Sequence, residues 1–294
     1  MSATFVEAEI TSQPGCWREA STLVAGFAHA LPIKGERVAI VGCGTSWFIA
    51  MSFAVLRETA GDGETDAFAG SEFPMGRKYD RVIAISRSGT TTEIIALLDQ
   101  LGSTTTVLIT AVPESPAAAV ATHVISLPFA DEKSIVQTRF ATTTLSLLRA
   151  HLGDDIEALA QQGEEALHVS IRDLVPADQV TFLGLGWAVG LAQEAALKTR
   201  EAAQFWAEAY PAMDYRHGPV AIAQSGRLVW SLGGWPAGLE DDVSRTGARF
   251  VNFNLDAQAA LVVVQRFAVA LAEARGLDPD HPRNLTRSVI LPRR

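Results

Sequence analysis

Short runs of β-branched and aliphatic residues alternate along this chain with longer stretches rich in Ala and Leu. That is the pattern of a parallel sheet whose strands are joined by crossover helices. RVAIVG (37–42) predicts a first strand, the loop CGTS follows, and SWFIAMSFAVLRETA (46–60) predicts a helix. RVIAIS (81–86) predicts the next strand, with a tight loop and a helix from about Thr91. TTTVLITAV and THVISLPF read as further strands, and QTRFATTTLSLLRAHL as a closing helix. After Pro176 the order restarts. QVTFLGLG parallels RVAIVGCG, GWAVGLAQEAALKTREAAQFWAEAY (186–210) reads as the helix after it, and RLVWSLGG takes the place of RVIAISRSG. ARFVNFNL and QAALVVVQRFAVALAEARG supply a last strand and helix. The expected fold class is α/β, with two similar doubly wound lobes on parallel sheets. The expected segments are an N-terminal helical piece (1–34), a first lobe (35–153), a polar linking helix (154–173), a second lobe (174–275) and a tail (276–294).

Composition narrows the function. The 294 residues are 48% hydrophobic and 19% charged, which excludes a disordered chain. Lys and Arg number 24 against 33 Asp and Glu, a formal charge of −9. So acidic a chain does not suit general nucleic-acid binding, which needs a basic surface to neutralise phosphates. Cys16 and Cys43 make neither a disulfide framework nor a metal-ligand spacing. The N-terminus has neither the basic nor the apolar region of a signal peptide, and Gln265 and Arg266 interrupt the most apolar run. The expectation is a soluble cytoplasmic protein with no membrane contact.

Candidate chemistry lies where strands end. Gly44-Thr45-Ser46 and Ser86-Arg87-Ser88-Gly89-Thr90-Thr91 are clusters of small hydroxyl residues, each opening into a predicted helix. Free N–H groups, the helix dipole and the hydroxyls would converge there on an anion such as phosphate. Either loop alone reads equally well as helix capping. Two such loops in consecutive strand–helix units point to a ligand. VGCGTS also begins like a dinucleotide fingerprint, but the third glycine is missing, with Phe48 near its place. In the second half Leu232, Gly233 and Gly234 replace the hydroxyl loop.

Glu194, Glu201 and Glu208 recur every seven residues on a predicted helix, with Lys198 on the same arc, and His217 follows in the loop DYRHGP. This reads either as a solvated stripe of ion pairs or as a base, a cation and an acid suited to moving protons on a sugar.

These motifs resemble, in order and over nearly the whole chain, the sugar isomerase (SIS) domain proteins. The resemblance is greatest to the isomerase half of glucosamine-6-phosphate synthase and extends to tagatose- or galactosamine-phosphate isomerases and fructosamine-phosphate deglycases. EITSQP, CGTS, ISRSGTTTE, EAALKTREAAQFWAEAYPAMDYRHGP and HPRNLTRSV carry it. The resemblance implies a double-SIS fold with flavodoxin-like topology and a sugar phosphate as ligand, with no cofactor and no metal. By motif position Thr45, Ser46, Ser86, Ser88 and Thr91 would hold the phosphate, with Gly44 and Arg87 in the same loops. Glu201 would be the base between C1 and C2, Lys198 would assist at the hydroxyls, and His217 would open the ring. The histidine commonly comes from the neighbouring subunit, which implies a homodimer.

Two departures stand out. No glutaminase domain precedes the isomerase part, and position 2 is Ser2 rather than a nucleophilic cysteine, so ammonia release from glutamine is not expected. Arg287 stands where the synthase has a Schiff-base lysine, and a guanidinium is a poor nucleophile. The tail is then expected to act as an electrostatic lid, with Arg287 binding substrate or a carboxylate of the site. The expected function is aldose–ketose isomerisation, or deamination or deglycation, of a hexose or amino-sugar 6-phosphate. The alternative is a phosphosugar sensor without chemistry.

Overall fold

The computed structural model describes residues 4–292, so Ser2 lies outside the described residues. In chain order the elements are α1 (Phe5–Thr11), α2 (Gln13–Thr22), β1 (Val38–Gly42), α3 (Thr45–Thr59), β2 (Thr65–Ala69), β3 (Arg81–Ile85), α4 (Thr92–Gln100), β4 (Thr105–Thr110), α5 (Pro116–Val120) and β5 (His123–Ser126). They continue as α6 (Arg139–His151), α7 (Ile156–Ala166), β6 (Gln179–Gly184), α8 (Ala188–Ala203), β7 (Ala207–Pro211), β8 (Arg227–Leu232), α9 (Leu239–Arg245), β9 (Arg249–Val251) and α10 (Ala257–Ala274).

Two compact units result. The first comprises residues 15–133, 139–156 and 286–292, and the second residues 4–14, 134–138 and 157–285. The first unit holds a sheet in the order β2-β1-β3-β4-β5, and the second a sheet in the order β7-β6-β8-β9, with every pairing parallel. This is the α/β arrangement of two similar units on parallel sheets that the sequence pattern predicts. All five residues of β1 and of β3 are buried, as expected of strands covered on both faces. Ile94, Leu97 and Leu98 of α4 pack on Ala39, Val41, Val82, Ala84 and Leu108. In each sheet the strand order reverses beside the first strand of the lobe, between β1 and β3 and between β6 and β8. Open parallel sheets bind their ligands at such a reversal.

The repeat is visible in glycine usage. A Cβ on Gly42 would lie 2.4 Å from the Ser46 carbonyl carbon, and one on Gly184 would lie 2.2 Å from the Ala188 carbonyl oxygen. At both strand ends the following helix starts so close that no side chain fits.

Two strands differ from the pattern reading, which also does not announce the short helices α5 and α9. The helix expected over 186–210 ends at Ala203, where Gln204 takes a left-handed conformation (φ 49°). AEAYP then becomes the edge strand β7, in register from Val180↔Ala207 to Gly184↔Pro211. Glu208 therefore sits on a strand and does not share the helical arc of Glu194 and Glu201. The Ala-rich sequence favours helix up to Tyr210, and sheet pairing overrides it. The second difference is β2, TDAFA, an edge strand whose weak alternation gives no signal.

The terminal segments are tied by specific bonds. Thr4 and Glu7 form a capping box on α1, and Asp280 accepts from the Phe5 and Val6 amides at 2.7 and 2.8 Å, all in the second unit. Gln13 donates to the Gln265 side chain of α10 at 2.7 Å. The α10 helix is long and apolar enough to cross a membrane, but it packs along α8 and is mostly buried, as a core helix would be.

Candidate active-site elements

In the first unit both hydroxyl loops lie at the reversal, one after β1 and one after β3. Thr45 and Ser46 are the first two residues of α3, behind Gly44 at φ 54°. They are 6% and 5% exposed, and Ser86 and Ser88 are 4% and 9% exposed. Gly44, the N-cap of α3, has no side chain to cap with, and Thr91, the N-cap of α4, makes no side-chain capping bond. The hydroxyls of the second loop instead face one another. Ser88 Oγ lies 2.9 Å from Thr90 Oγ1 and accepts from the Thr90 amide at 3.2 Å, and Ser86 Oγ lies 3.5 Å from Thr91 Oγ1. Gly89 (φ +60°) is required by packing below the loop, because a Cβ there would fall 1.9 Å from Ser115 Oγ.

The tail lies on this second loop. Ser288 bonds Thr90 Oγ1 at 2.9 Å, the Val289 carbonyl accepts from the Thr92 amide at 3.3 Å, and the Leu291 amide donates to Thr92 Oγ1 at 2.9 Å. Arg87 is 4% exposed and paired with the fully buried Glu132 at 3.2 Å, and it donates to the Arg287 carbonyl at 3.2 Å. Arg287 binds the Asp131 carboxylate and the Glu132 carbonyl. Both arginines expected to meet ligand are thus engaged with acidic residues 131 and 132 and with the tail.

The second unit carries the charged residues of α8. Lys198 is 1% exposed and Glu194 is buried, with their charges 3.6 Å apart, while Lys198 also bonds the partly exposed Glu201. Of the three, Glu201 alone is partly open to solvent, and the Arg200 guanidinium on the same helix also feels the charges of Glu201 and Glu194. A solvated stripe is therefore excluded for Glu194 and Lys198. Burying charges this deeply is costly unless they are paired, so the trio reads as a polar device held in an apolar helix. The sequence pattern marks Glu194 as a stripe residue only. Its complete burial against Lys198 makes it part of the charged group.

His217 ends a 3₁₀ turn, Asp214–His217. It is exposed, and its ring makes no hydrogen bond or ion pair among the described residues. The same turn is anchored by Arg216, which binds Asp242 of α9 and the Ala237 carbonyl (3.1 Å). Tyr215, fully buried, holds its hydroxyl without a hydrogen-bond partner among the described residues. Burial, then the charges of Glu208 and Tyr210, push its phenol up to about 12. The folded state thus favours the protonated phenol. Any stability this gives relative to ionised tyrosine is present below the unfolded pKa near 10 and lost as pH rises to about 12. Tyr215→Phe is therefore expected to be nearly neutral at pH 7. It should then outlast the parent by about 2 kcal/mol at pH 12, read from urea midpoints across that range. A parallel alkaline decline in both proteins would contradict this.

At the corresponding strand end of the second sheet, Ser231 turns its hydroxyl onto the Gly234 carbonyl at 3.2 Å within its own loop. Among the described residues no group of three or more His, Cys, Asp or Glu could hold a metal ion.

Residues 33–152 match the family model of the SIS domain. Glutamine--fructose-6-phosphate aminotransferase [isomerizing] of Sulfurisphaera tokodaii is 27% identical over 297 aligned positions, covering 88% of this chain and 50% of that protein. The Bacillus subtilis enzyme of the same name is 25% identical, covering 91% of this chain and 54% of its own length. The chain thus spans about half the length of these curated relatives. Among solved structures, a glucosamine-6-phosphate deaminase from Thermotoga maritima superposes with a TM-score of 0.81 at 26% identity, covering 98% of this chain and all of that one. Tagatose-6-phosphate ketose/aldose isomerase from Escherichia coli shares the fold, with a TM-score of 0.80 at 20% identity and coverage of 99% and 98%. The SIS model thus spans the strand–loop–helix units that carry both hydroxyl loops, and the likeness in sequence and fold to the proteins named above extends over nearly the whole chain.

Proposed function

We propose that this protein binds a hexose or amino-sugar 6-phosphate and moves a proton between C1 and C2, as an aldose–ketose isomerase or a related deaminase or deglycase. The observation that carries this reading is the buried Glu194–Lys198–Glu201 group of α8. A sensor has no use for a buried ammonium beside a carboxylate whose outer end is open to solvent, whereas proton transfer needs both. The names of its relatives, which include a sugar-phosphate deaminase and isomerases, support the substrate class.

The roles follow from chemistry. The hydroxyls of Thr45, Ser46, Ser86, Ser88 and Thr91, with the first-turn amides of α3 and α4, hold the phosphate. Glu201 is the base at C2, Lys198 stabilises charge developing on the sugar oxygens, and Glu194 positions Lys198. His217 opens the ring. Its exposure and unbonded ring support a role at the site of a second copy of the chain, so the active species is a homodimer. Arg287, committed to Asp131 and unable to form an imine, latches the tail over the second hydroxyl loop. Proton transfer then runs through an enediol or enolamine.

Ser88→Ala is expected to weaken sugar-phosphate binding by about 1–3 kcal/mol, measured by titration calorimetry, while Ser231→Ala leaves it unchanged. Equal losses would mean that the second sheet also binds the ligand. The function itself is tested by incubating the protein with fructose-, glucosamine- and galactosamine-6-phosphate and a fructosamine phosphate, with NMR detection of products. Turnover of one of them is expected. Tight binding with no turnover of any would replace the enzyme by a phosphosugar sensor.

A further inference from the structure

The second unit carries a groove unrelated to the hydroxyl loops, formed by α1, α10 and the connection between α7 and β6. Two adjoining hollows of about 500 and about 550 Å³ make it up, and they share His168, Ile171, Arg266 and Ala270.

The half-buried Arg266 lies at the junction of the hollows. Its Nη1 donates to the Ala166 and Val169 carbonyls, both at 2.8 Å, and closes the end of α7. Its remaining N–H groups have no hydrogen-bond partner, and no carboxylate pairs with it, among the described residues. Burial alone pushes this guanidinium down from its ordinary value, which agrees with the lack of a counter-charge. One hollow adds Arg172 and Ser170 and has no carboxylate in its wall. The side chains of Arg172 and His168 also make no hydrogen bond or ion pair among the described residues. In a chain of net charge −9, a concave surface with two arginines, a histidine and no acid stands out. The other hollow has apolar walls, Ile10, Leu167 and Val269, with Glu7 and Glu273 also lining it. Glu7 is committed to the Thr4 amide at 2.8 Å.

We propose that this groove binds an organic anion with an apolar body. Its charged group rests on Arg266 and Arg172, and its body lies along Ile171, Leu167 and Val269. Charge complementarity selects the anion, because two guanidinium groups there lack a counter-ion within the fold. The apolar walls select the body, since a bare anion gains nothing from them. The proposal is independent of the phosphosugar reading and uses none of its residues.

The test is a fluorescence titration of the whole protein with 8-anilinonaphthalene-1-sulfonate, an anion with an aromatic body. Saturable binding to one site per chain is expected. Arg172→Gln, an exposed position that should not disturb folding, and Arg266→Gln should each raise the dissociation constant about tenfold. Arg266→Lys should retain most of the binding. Octanoate should displace the dye at concentrations where inorganic phosphate does not. Unchanged affinity in both Gln variants would overturn the proposal, as would equal displacement by phosphate and octanoate.

Discussion

Lys198→Met is expected to destabilise the protein by about 3–5 kcal/mol. The side chain is 1% exposed and lies 3.6 Å from a carboxylate that is itself buried. Met fills a similar volume, so cavity formation contributes little. What remains is the fully buried Glu194 without its bonded ammonium, where it must either keep a poorly compensated charge, with Arg200 the nearby cation left, or take up a proton. The double variant Lys198→Met/Glu194→Leu removes the problem together with the pair and should recover most of the loss. Urea denaturation of the single and double variants measures this directly. A double variant as unstable as the single one would show that Lys198 matters through its shape. Recovery of stability without recovery of activity would show that the group is retained for chemistry.

The second large effect concerns Glu201. Glu201→Gln keeps the size of the side chain and its capacity to bond Lys198, but cannot take a proton from carbon. Turnover of the sugar phosphate should fall roughly 100-fold or more, while its dissociation constant stays within a few-fold of the parent value. Stability should change little, since this side chain, unlike Glu194, is partly exposed. Loss of binding and turnover together would assign Glu201 to ligand recognition instead. A variant that turns over normally would move the base elsewhere.

Much of this is legible in the sequence, for local reasons. β-Branched runs ending in Gly, Ser and Thr announce β1, β3 and β6 and place both hydroxyl loops at the sheet reversal. Their buried strands need apolar residues on both faces, and the loops need small ones. Less legible are features decided by partners distant in sequence. AEAYP follows an Ala-rich helix without a break in composition, and only pairing with β6 makes it a strand. A seven-residue spacing of Glu residues is the same whether the arc faces water or core, so the burial of Glu194 cannot be read from it. Arg287 meets Asp131 across 156 positions, and nothing near either residue marks the contact. Its chemistry alone marks Arg287 as an electrostatic tail residue. The structure adds the acidic partner and the bonds that lay residues 288–291 on the second loop.

Proton transfer at C2 is most directly tested by solvent exchange. The protein is incubated in deuterium oxide with each 6-phosphate, and deuterium at C2 of the aldose or C1 of the ketose is followed by NMR. The parent protein should wash solvent deuterium into that position of at least one sugar phosphate, and Glu201→Gln should lose that exchange while still binding the sugar. No exchange by the parent with any tested sugar phosphate it binds, or equal exchange by parent and variant, would contradict the assignment of Glu201 as the base of a sugar-phosphate enzyme.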